Sequence, residues 1–127
     1  MNNQNRNKII YFASTGLLTV LMLMSAGMYI FNHEMVVGIF TKLGYPTYII
    51  YPLAIAKILG LIAIWTRKSN TLKEWAYAGF FFDFILAFAA HIYVKDGEHL
   101  LALIAIVLVI VSYEYGKKME KTSNEEV

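Results

Sequence analysis

The sequence contains no cysteine, and this absence excludes several kinds of chemistry at once. Without a thiol there is no disulfide, no thiolate metal site, no iron–sulfur cluster and no cysteine nucleophile. Charged residues are also scarce: they make up 16% of the 127 residues, whereas an ordinary soluble domain carries about 25%. With two prolines and eight glycines, the chain does not resemble collagen or a disordered segment. The chain therefore lacks the polar surface that a soluble domain of this length needs.

The charges that are present nearly balance, with 11 lysines and arginines against 9 aspartates and glutamates. A net charge of +2 is too small for a nucleic-acid binder that works by neutralising phosphates. The common catalytic motifs are missing as well, since the sequence has no GxSxG, HExxH, Walker or GxGxxG pattern. Enzymatic activity stays open, but these absences favour a protein with no catalytic activity of its own. The sequence does not identify a cofactor.

Hydrophobic residues, in contrast, make up 58% of the chain and fall into four long runs. The runs cover residues 9–31, 47–65, 75–94 and 100–116, and a polar tail follows at 117–127. As a helix, the first run reaches about 34 Å, more than the roughly 30 Å of a bilayer's hydrocarbon core. It also exceeds the core of a signal peptide, so we favour a membrane span over a cleaved leader. The pattern predicts an all-α membrane protein, a single domain over residues 1–127 that forms a four-transmembrane-helix bundle.

The basic residues predict the orientation of this bundle in the cell membrane. Lys42 and Lys95 are the only basic residues expected on one side. The other side collects the basic residues of the two tails and of the loop between the second and third spans: Arg6, Lys8, Arg67, Lys68, Lys73, Lys117, Lys118 and Lys121. Since basic loops stay inside, both termini are expected in the cytoplasm.

The connections carry local signals of their own. In residues 33–44, Val36 and Phe40 share one helical face, which predicts a short amphipathic interfacial helix between spans one and two. An apolar loop would give a similar pattern. Pro52 is expected to kink the second span or to mark its true start. Residues 71–74 (Thr-Leu-Lys-Glu) fit a capping box at the start of the third span. The polar tail after residue 116 is expected to fray.

Two opposite charges interrupt neighbouring spans at a similar depth. Lys57 lies eight residues before Trp65, and Asp83 lies eight residues after Trp75. A lone charge at the bilayer centre costs about 2.5–3.5 kcal/mol, so the two are expected to pair inside the bundle. Small residues around them would let the helices approach closely: Ala56, Gly60, Ala76, Gly79, Ala87 and Ala90. The pair is either a polar functional site or an ion pair that fixes helix register, and the sequence leaves both open.

Further polar residues extend these alternatives. His91 lies two turns beyond Asp83. It would either relay protons to the charged pair or form a hydrogen bond to a neighbouring helix, and the hydrogen bond is the commoner role of such a histidine. Tyr29 shares a face of the first span with Thr15 and Thr19, which would line the same interior or merely pack. The outer-side His33, Glu34 and His99 lack the spacing of a known metal motif, so no metal site is predicted.

Several segments together resemble the DoxX-like family of small four-span membrane proteins. The most specific is Glu74-Trp75-Ala76-Tyr77-Ala78-Gly79-Phe80-Phe81-Phe82-Asp83, followed by His91. Weaker matches are Ser25-Ala26-Gly27, Leu43-Gly44-Tyr45-Pro46 and Lys57-Ile58-Leu59-Gly60. The resemblance implies a four-helix membrane bundle. It also implies a link to quinone-reducing or oxidative-stress complexes, or to assembly of membrane proteins, because such roles occur among relatives. Thiol redox chemistry is excluded here by the missing cysteine.

The sequence therefore supports three hypotheses, all for a protein embedded in the lipid bilayer. The first is an accessory or ligand-binding module that would hold a quinone or lipid, within or beside the subunits of a redox complex. Its candidate polar core comprises Lys57, Asp83, His91, Ser25 and Tyr29. The second is an assembly or structural factor with no ligand. The third is a proton-coupled carrier, which would need a homodimer, since four spans are few for alternating access.

Overall fold

The structure, a computed structural model, describes residues 3–95, 97 and 99–125. These residues form five α-helices and one 3₁₀ turn. The helices are α1 (Asn3–Phe31), α2 (His33–Leu43), α3 (Ile50–Thr66), α4 (Asn70–Val94) and α5 (His99–Glu125), and the 3₁₀ turn (Thr47–Ile49) leads into α3.

Four of the helices, α1, α3, α4 and α5, are long and apolar enough to cross a membrane. The main contacts run around a ring: α1 packs against α3 and α5, and α4 packs against the same two helices. Within the ring, α1 therefore lies diagonally opposite α4. This arrangement confirms the predicted all-α, multi-pass membrane bundle.

The α2 helix confirms the predicted amphipathic segment between the first two spans. Val36 and Phe40 are buried and pack with Ile50 at the start of α3. Ile39, the residue before Phe40, is 41% exposed and is available to lipid. Gly44 ends the helix at a φ of 78°, a left-handed conformation that favours glycine.

The start of α3 shows what Pro52 does. Pro52 lies in the first turn of the helix, which begins at Ile50. A proline is tolerated there because its missing N–H would have no partner within the helix. Pro52 therefore marks the start of the span and does not break it.

The start of α4 differs from the predicted capping box. The cap is Ser69, whose Oγ accepts a hydrogen bond from the backbone N–H of Leu72 at 3.2 Å. Thr71 already lies inside the helix, and the Glu74 carboxylate accepts a hydrogen bond from the Tyr113 hydroxyl at 2.7 Å. The capping-box prediction was wrong because a suitable hydroxyl two residues earlier extends the helix backwards.

The end of α5 also differs from expectation. The predicted fraying after residue 116 is wrong for the described backbone, which stays helical to Glu125. Glu120 anchors this extension, since its carboxylate contacts both Arg67 at the α3–α4 connection and Lys73 on α4. We call this end of the bundle, where α1 begins and α5 ends, the basic end.

The buried interior consists of two apolar clusters. The larger lies towards the basic end and joins all four spans through Leu18, Met22, Leu61, Ile64, Tyr77, Phe80, Phe84, Ala105 and Val109. The smaller joins α2 to the start of α3. The buried face of α3 runs from one cluster to the other, and Lys57 lies on it between Ala54 and Leu61.

Candidate polar site between the membrane helices

Lys57 is a buried cation held by α1. Its residue surface is 5% exposed, because helical spacing places it on the same face as Ile50, Ala54 and Leu61. The Nζ donates a hydrogen bond to the Ser25 Oγ at 2.6 Å. It also lies 3.8 Å from the centroid of the Tyr29 ring, which is within range of a cation–π interaction.

Asp83 completes the group from α4. Its Oδ2 lies 3.9 Å from the Lys57 Nζ, which is an ion pair but is too long for a hydrogen bond. The Asp83 side chain is 27% exposed, against 5% for Lys57. Within the described part of the chain, the carboxylate accepts no hydrogen bond. Since an ionised carboxylate has about four acceptor sites, Asp83 keeps most of its bonding capacity unused.

The structure therefore brings four of the five predicted site residues together. Ser25 and Tyr29 come from α1, Lys57 from α3 and Asp83 from α4. His91 lies eight residues along α4 from Asp83, about 12 Å at helical rise. It lies in the last turn of α4, where its carbonyl accepts a hydrogen bond from the Lys95 N–H. His91 is thus separate from the central group.

The close helix approach beside this site matches the predicted set of small residues in part, since a Cβ built on Gly60 would lie 3.6 Å from the Ala76 Cβ. Gly79 is exposed, and a Cβ built on it would meet nothing within 4 Å. A Cβ on Gly60 would lie 2.6 Å from the Phe80 Cζ, so the missing side chain lets the Phe80 ring pack against α3. Gly60 lies one turn from Lys57 and holds α3 and α4 at the spacing that the ion pair uses.

Sequence reasoning missed a second polar group, which joins α1, α4 and α5. The buried Ser112 Oγ lies 2.6 Å from the Thr15 Oγ1 and 2.7 Å from the Tyr77 hydroxyl. A signal for it exists in α5, where Ser112 follows Ala102, Ala105 and Val109 on the buried face. A hydroxyl on a face that is otherwise apolar needs a partner, and the neighbouring spans provide two.

No metal centre is apparent in the described residues, which contain no cluster of three histidine, aspartate or glutamate side chains. His33 instead stacks on Tyr51, with ring centroids 4.5 Å apart. The candidate site is therefore built from one cation, one carboxylate, one hydroxyl and one aromatic ring. Such a set can donate a hydrogen bond to a carbonyl, accept one from a hydroxyl, and flank a flat ring.

Comparison with known protein families identifies the scaffold. The model of the DoxX-like family matches residues 13–113. The chain belongs to the DoxX-like family. No curated protein and no solved structure is similar enough to count as a match. All five candidate residues lie inside the DoxX-like stretch, whereas Glu120 lies beyond its end.

Proposed function

We propose that this DoxX-like protein binds a membrane-soluble ligand, a quinone or a lipid, at the Lys57–Asp83 pair. The observation that carries the proposal is that Lys57 has hydrogen-bond and ring partners within the protein, whereas Asp83 has only the ion pair among the described residues. Lys57 is buried against Ser25 and Tyr29, while Asp83 is partly exposed and accepts no hydrogen bond from the described residues. A carboxylate at this depth is costly unless something completes its bonding, and a ligand can do so.

The chemistry of the pair suits a ligand with a carbonyl or hydroxyl head. The Lys57 ammonium has three donors, of which the Ser25 Oγ takes one. The Asp83 carboxylate has free acceptor sites for a hydroxyl. A quinone carbonyl would accept from Lys57, and a quinol hydroxyl would donate to Asp83, with the Tyr29 ring beside them. A binding site for a small apolar ligand has this composition: mostly apolar walls with a few convergent polar groups.

Asp83 also gives the ligand a way in. Its exposed portion can be reached from outside the bundle, whereas Lys57 is covered. A ligand dissolved in the bilayer would therefore meet the carboxylate first and the ammonium second. If the ligand is a quinone, we expect the protein to act beside a membrane redox complex as an accessory subunit.

The second candidate is an assembly or structural factor without a ligand. The observation that favours it is the dense protein environment of Lys57, which has Ser25, Tyr29 and Asp83 as neighbours. In that case the ion pair only fixes the register of α3 against α4. A proton-coupled carrier has less support. The apolar side chains of Leu18, Met22 and Leu61 are buried between Lys57 and the hydrogen bond that joins Thr15 to Ser112, and they offer no group that could pass a proton.

The test is to identify what co-purifies with the protein. Wild type, Asp83→Asn and Glu74→Gln are purified in mild detergent, and quinones and phospholipids are extracted and quantified per mole of protein by mass spectrometry. Asp83→Asn keeps the shape of the side chain but removes the charge. Glu74→Gln is the control, because it also replaces a carboxylate by an amide, nine residues away on α4.

We expect one species to be enriched in wild type and Glu74→Gln and to fall about tenfold in Asp83→Asn. A charged hydrogen bond is worth about 1.5–3 kcal/mol, which supports a loss of that size. Enrichment of a quinone or of a phospholipid identifies the ligand class. Equal recovery of every molecule from all three proteins contradicts the proposal.

A further inference from the structure

The basic end contains a second charged cluster, far from Lys57 and Asp83 in the bundle. One oxygen of Glu120, Oε1, accepts hydrogen bonds from both the Arg67 guanidinium and the Lys73 ammonium. The Lys73 side chain is 8% exposed, whereas those of Arg67 and Glu120 are 24% and 38% exposed. The carboxylate thus reaches in from the rim and neutralises a cation buried behind it.

A small cavity with room for about one water molecule adjoins this cluster. Its walls add a third cation, Lys117, to Arg67 and Lys73, together with the side chains of Tyr11 and Tyr77. Of Glu74 and Glu120, two carboxylates at this end of the bundle, only Glu120 contacts these cations in the described part of the chain. Glu120 holds Arg67 and Lys73, and Glu74 accepts from the Tyr113 hydroxyl. The cluster therefore keeps an excess positive charge even with Glu120 in place.

We propose that Glu120 occupies an anion site that a phosphate group can take over. A single carboxylate oxygen shared by Arg67 and Lys73 has the position that a phosphate oxygen would occupy, and a phosphate adds charge and oxygens for Lys117. The site opens at a bundle end, at the level expected for lipid headgroups. Basic clusters between membrane helices bind anionic headgroups in this way.

The burial of Lys73 explains why the exchange needs an anion. A buried ammonium without a partner is costly, so Glu120 leaves only when another anion replaces it. Glu120 is the more exposed partner and belongs to the last turns of α5, so it can withdraw to the surface. Phosphate binding would then release the end of α5 from the α3–α4 connection.

This idea predicts opposite effects for the two sides of the cluster. Glu120→Gln removes the competing carboxylate and should tighten phosphate binding about tenfold, a change that corresponds to ~1.4 kcal/mol. Arg67→Gln removes a ligand and should weaken binding by a similar factor. The matched control is Lys68→Gln, which removes the same charge from the next, exposed residue.

The experiment follows thermal unfolding of the full chain in detergent while the anion is titrated. One arm adds phosphatidic acid with phosphatidylcholine as the neutral comparison, and the other adds inorganic phosphate. Stabilisation by phosphatidic acid alone identifies a lipid headgroup as the source, whereas stabilisation by both identifies a soluble phosphate compound as an equal candidate. In case Arg67→Gln fails to fold, Arg67→Lys keeps the charge but lacks the planar guanidinium that can hold a phosphate through two nitrogens, and it should bind with intermediate strength.

Two results overturn the proposal. The first is no stabilisation of wild type or Glu120→Gln by either anion. The second is a loss of binding in Lys68→Gln as large as that in Arg67→Gln, because it would mean general attraction to positive charge.

Discussion

The two charged clusters of this protein differ in how many hydrogen bonds their carboxylates accept. At mid-bundle, Asp83 lies 3.9 Å from Lys57 and accepts no hydrogen bond in the described part of the chain. At the basic end, Glu120 accepts hydrogen bonds from two cations at once. The middle cluster therefore has a carboxylate that can still accept hydrogen bonds from a ligand. In the end cluster, the protein's own Glu120 carboxylate already occupies the cations that could bind an anion.

The surroundings explain the difference. A charge in the middle of a bilayer loses its hydration, so a loose ion pair there carries a large cost that its Coulomb attraction offsets only in part. A charge near the end of a span can reach water or headgroups by moving its flexible stem. We therefore expect substitutions at mid-bundle to have large effects that do not depend on salt, and substitutions at the basic end to have small effects that do.

The largest effect should come from breaking the central pair. Asp83→Leu leaves Lys57 buried without its counter-charge and should lower the free energy of unfolding by about 3–5 kcal/mol. Lys57→Met should cost less, because Asp83 is 27% exposed. The double variant should be more stable than Asp83→Leu, as unfolding in detergent micelles will show. A double variant as unstable as the sum of the two singles would contradict a direct interaction.

The next effect concerns the helix approach that sets the spacing of the pair. Gly60→Ala places a Cβ 2.6 Å from the Phe80 Cζ and should cost about 1–3 kcal/mol through overpacking. Gly79→Ala is the matched control on the facing helix, where nothing lies within 4 Å. Equal melting temperatures for the two variants would argue against close contact at Gly60.

A smaller effect tests how α4 begins near the basic end. Ser69→Ala removes the hydroxyl that accepts from the Leu72 N–H and should cost about 1 kcal/mol. Thr71→Ala, at the position that the sequence favoured as the cap, should leave the melting temperature nearly unchanged. A larger loss of stability in Thr71→Ala than in Ser69→Ala would mean that Thr71 caps the helix, as the capping-box prediction had it.

The smallest effect is expected at Glu120. In the absence of added anions, Glu120→Gln should lower the free energy of unfolding by less than about 1 kcal/mol, because the glutamine amide keeps an oxygen that can accept the hydrogen bond from the buried Lys73. The difference from wild type should shrink as sodium chloride rises, because partly exposed ion pairs are screened by salt. The same salt series should leave the difference between wild type and Asp83→Leu unchanged. A salt response of similar size in both would remove the contrast between the two clusters.

Hydropathy was sufficient to predict the spans, because each apolar run is long enough to cross the hydrocarbon core of a bilayer as a helix, whatever it packs against. The depth of Lys57 and Asp83 followed from counting residues to the neighbouring tryptophans. Contacts that depend on helix rotation could not be predicted in the same way. The hydrogen bond from Lys57 to Ser25 requires that α1 turn Ser25 towards α3, and hydropathy does not fix that angle.

The differences at the helix ends have separate causes. Ser69 and Thr71 can both cap a helix, and the hydroxyl of Ser69, which comes first in the chain, is the one that accepts from the Leu72 N–H. The polar sequence after residue 116 gave no sign of a partner, because Arg67 and Lys73 are distant in the chain. Long-range contacts of this kind override the local preference to fray.

The most direct test of the proposed ligand site uses the Lys57→Met, Asp83→Leu double variant, in which neither charge is stranded. Its ligand content, measured by extraction and mass spectrometry, is compared with that of wild type after both are shown to be folded. The account predicts a folded double variant that has lost the molecule enriched in wild type. A folded double variant that still carries this molecule in wild-type amount would show that the pair only fixes helix register.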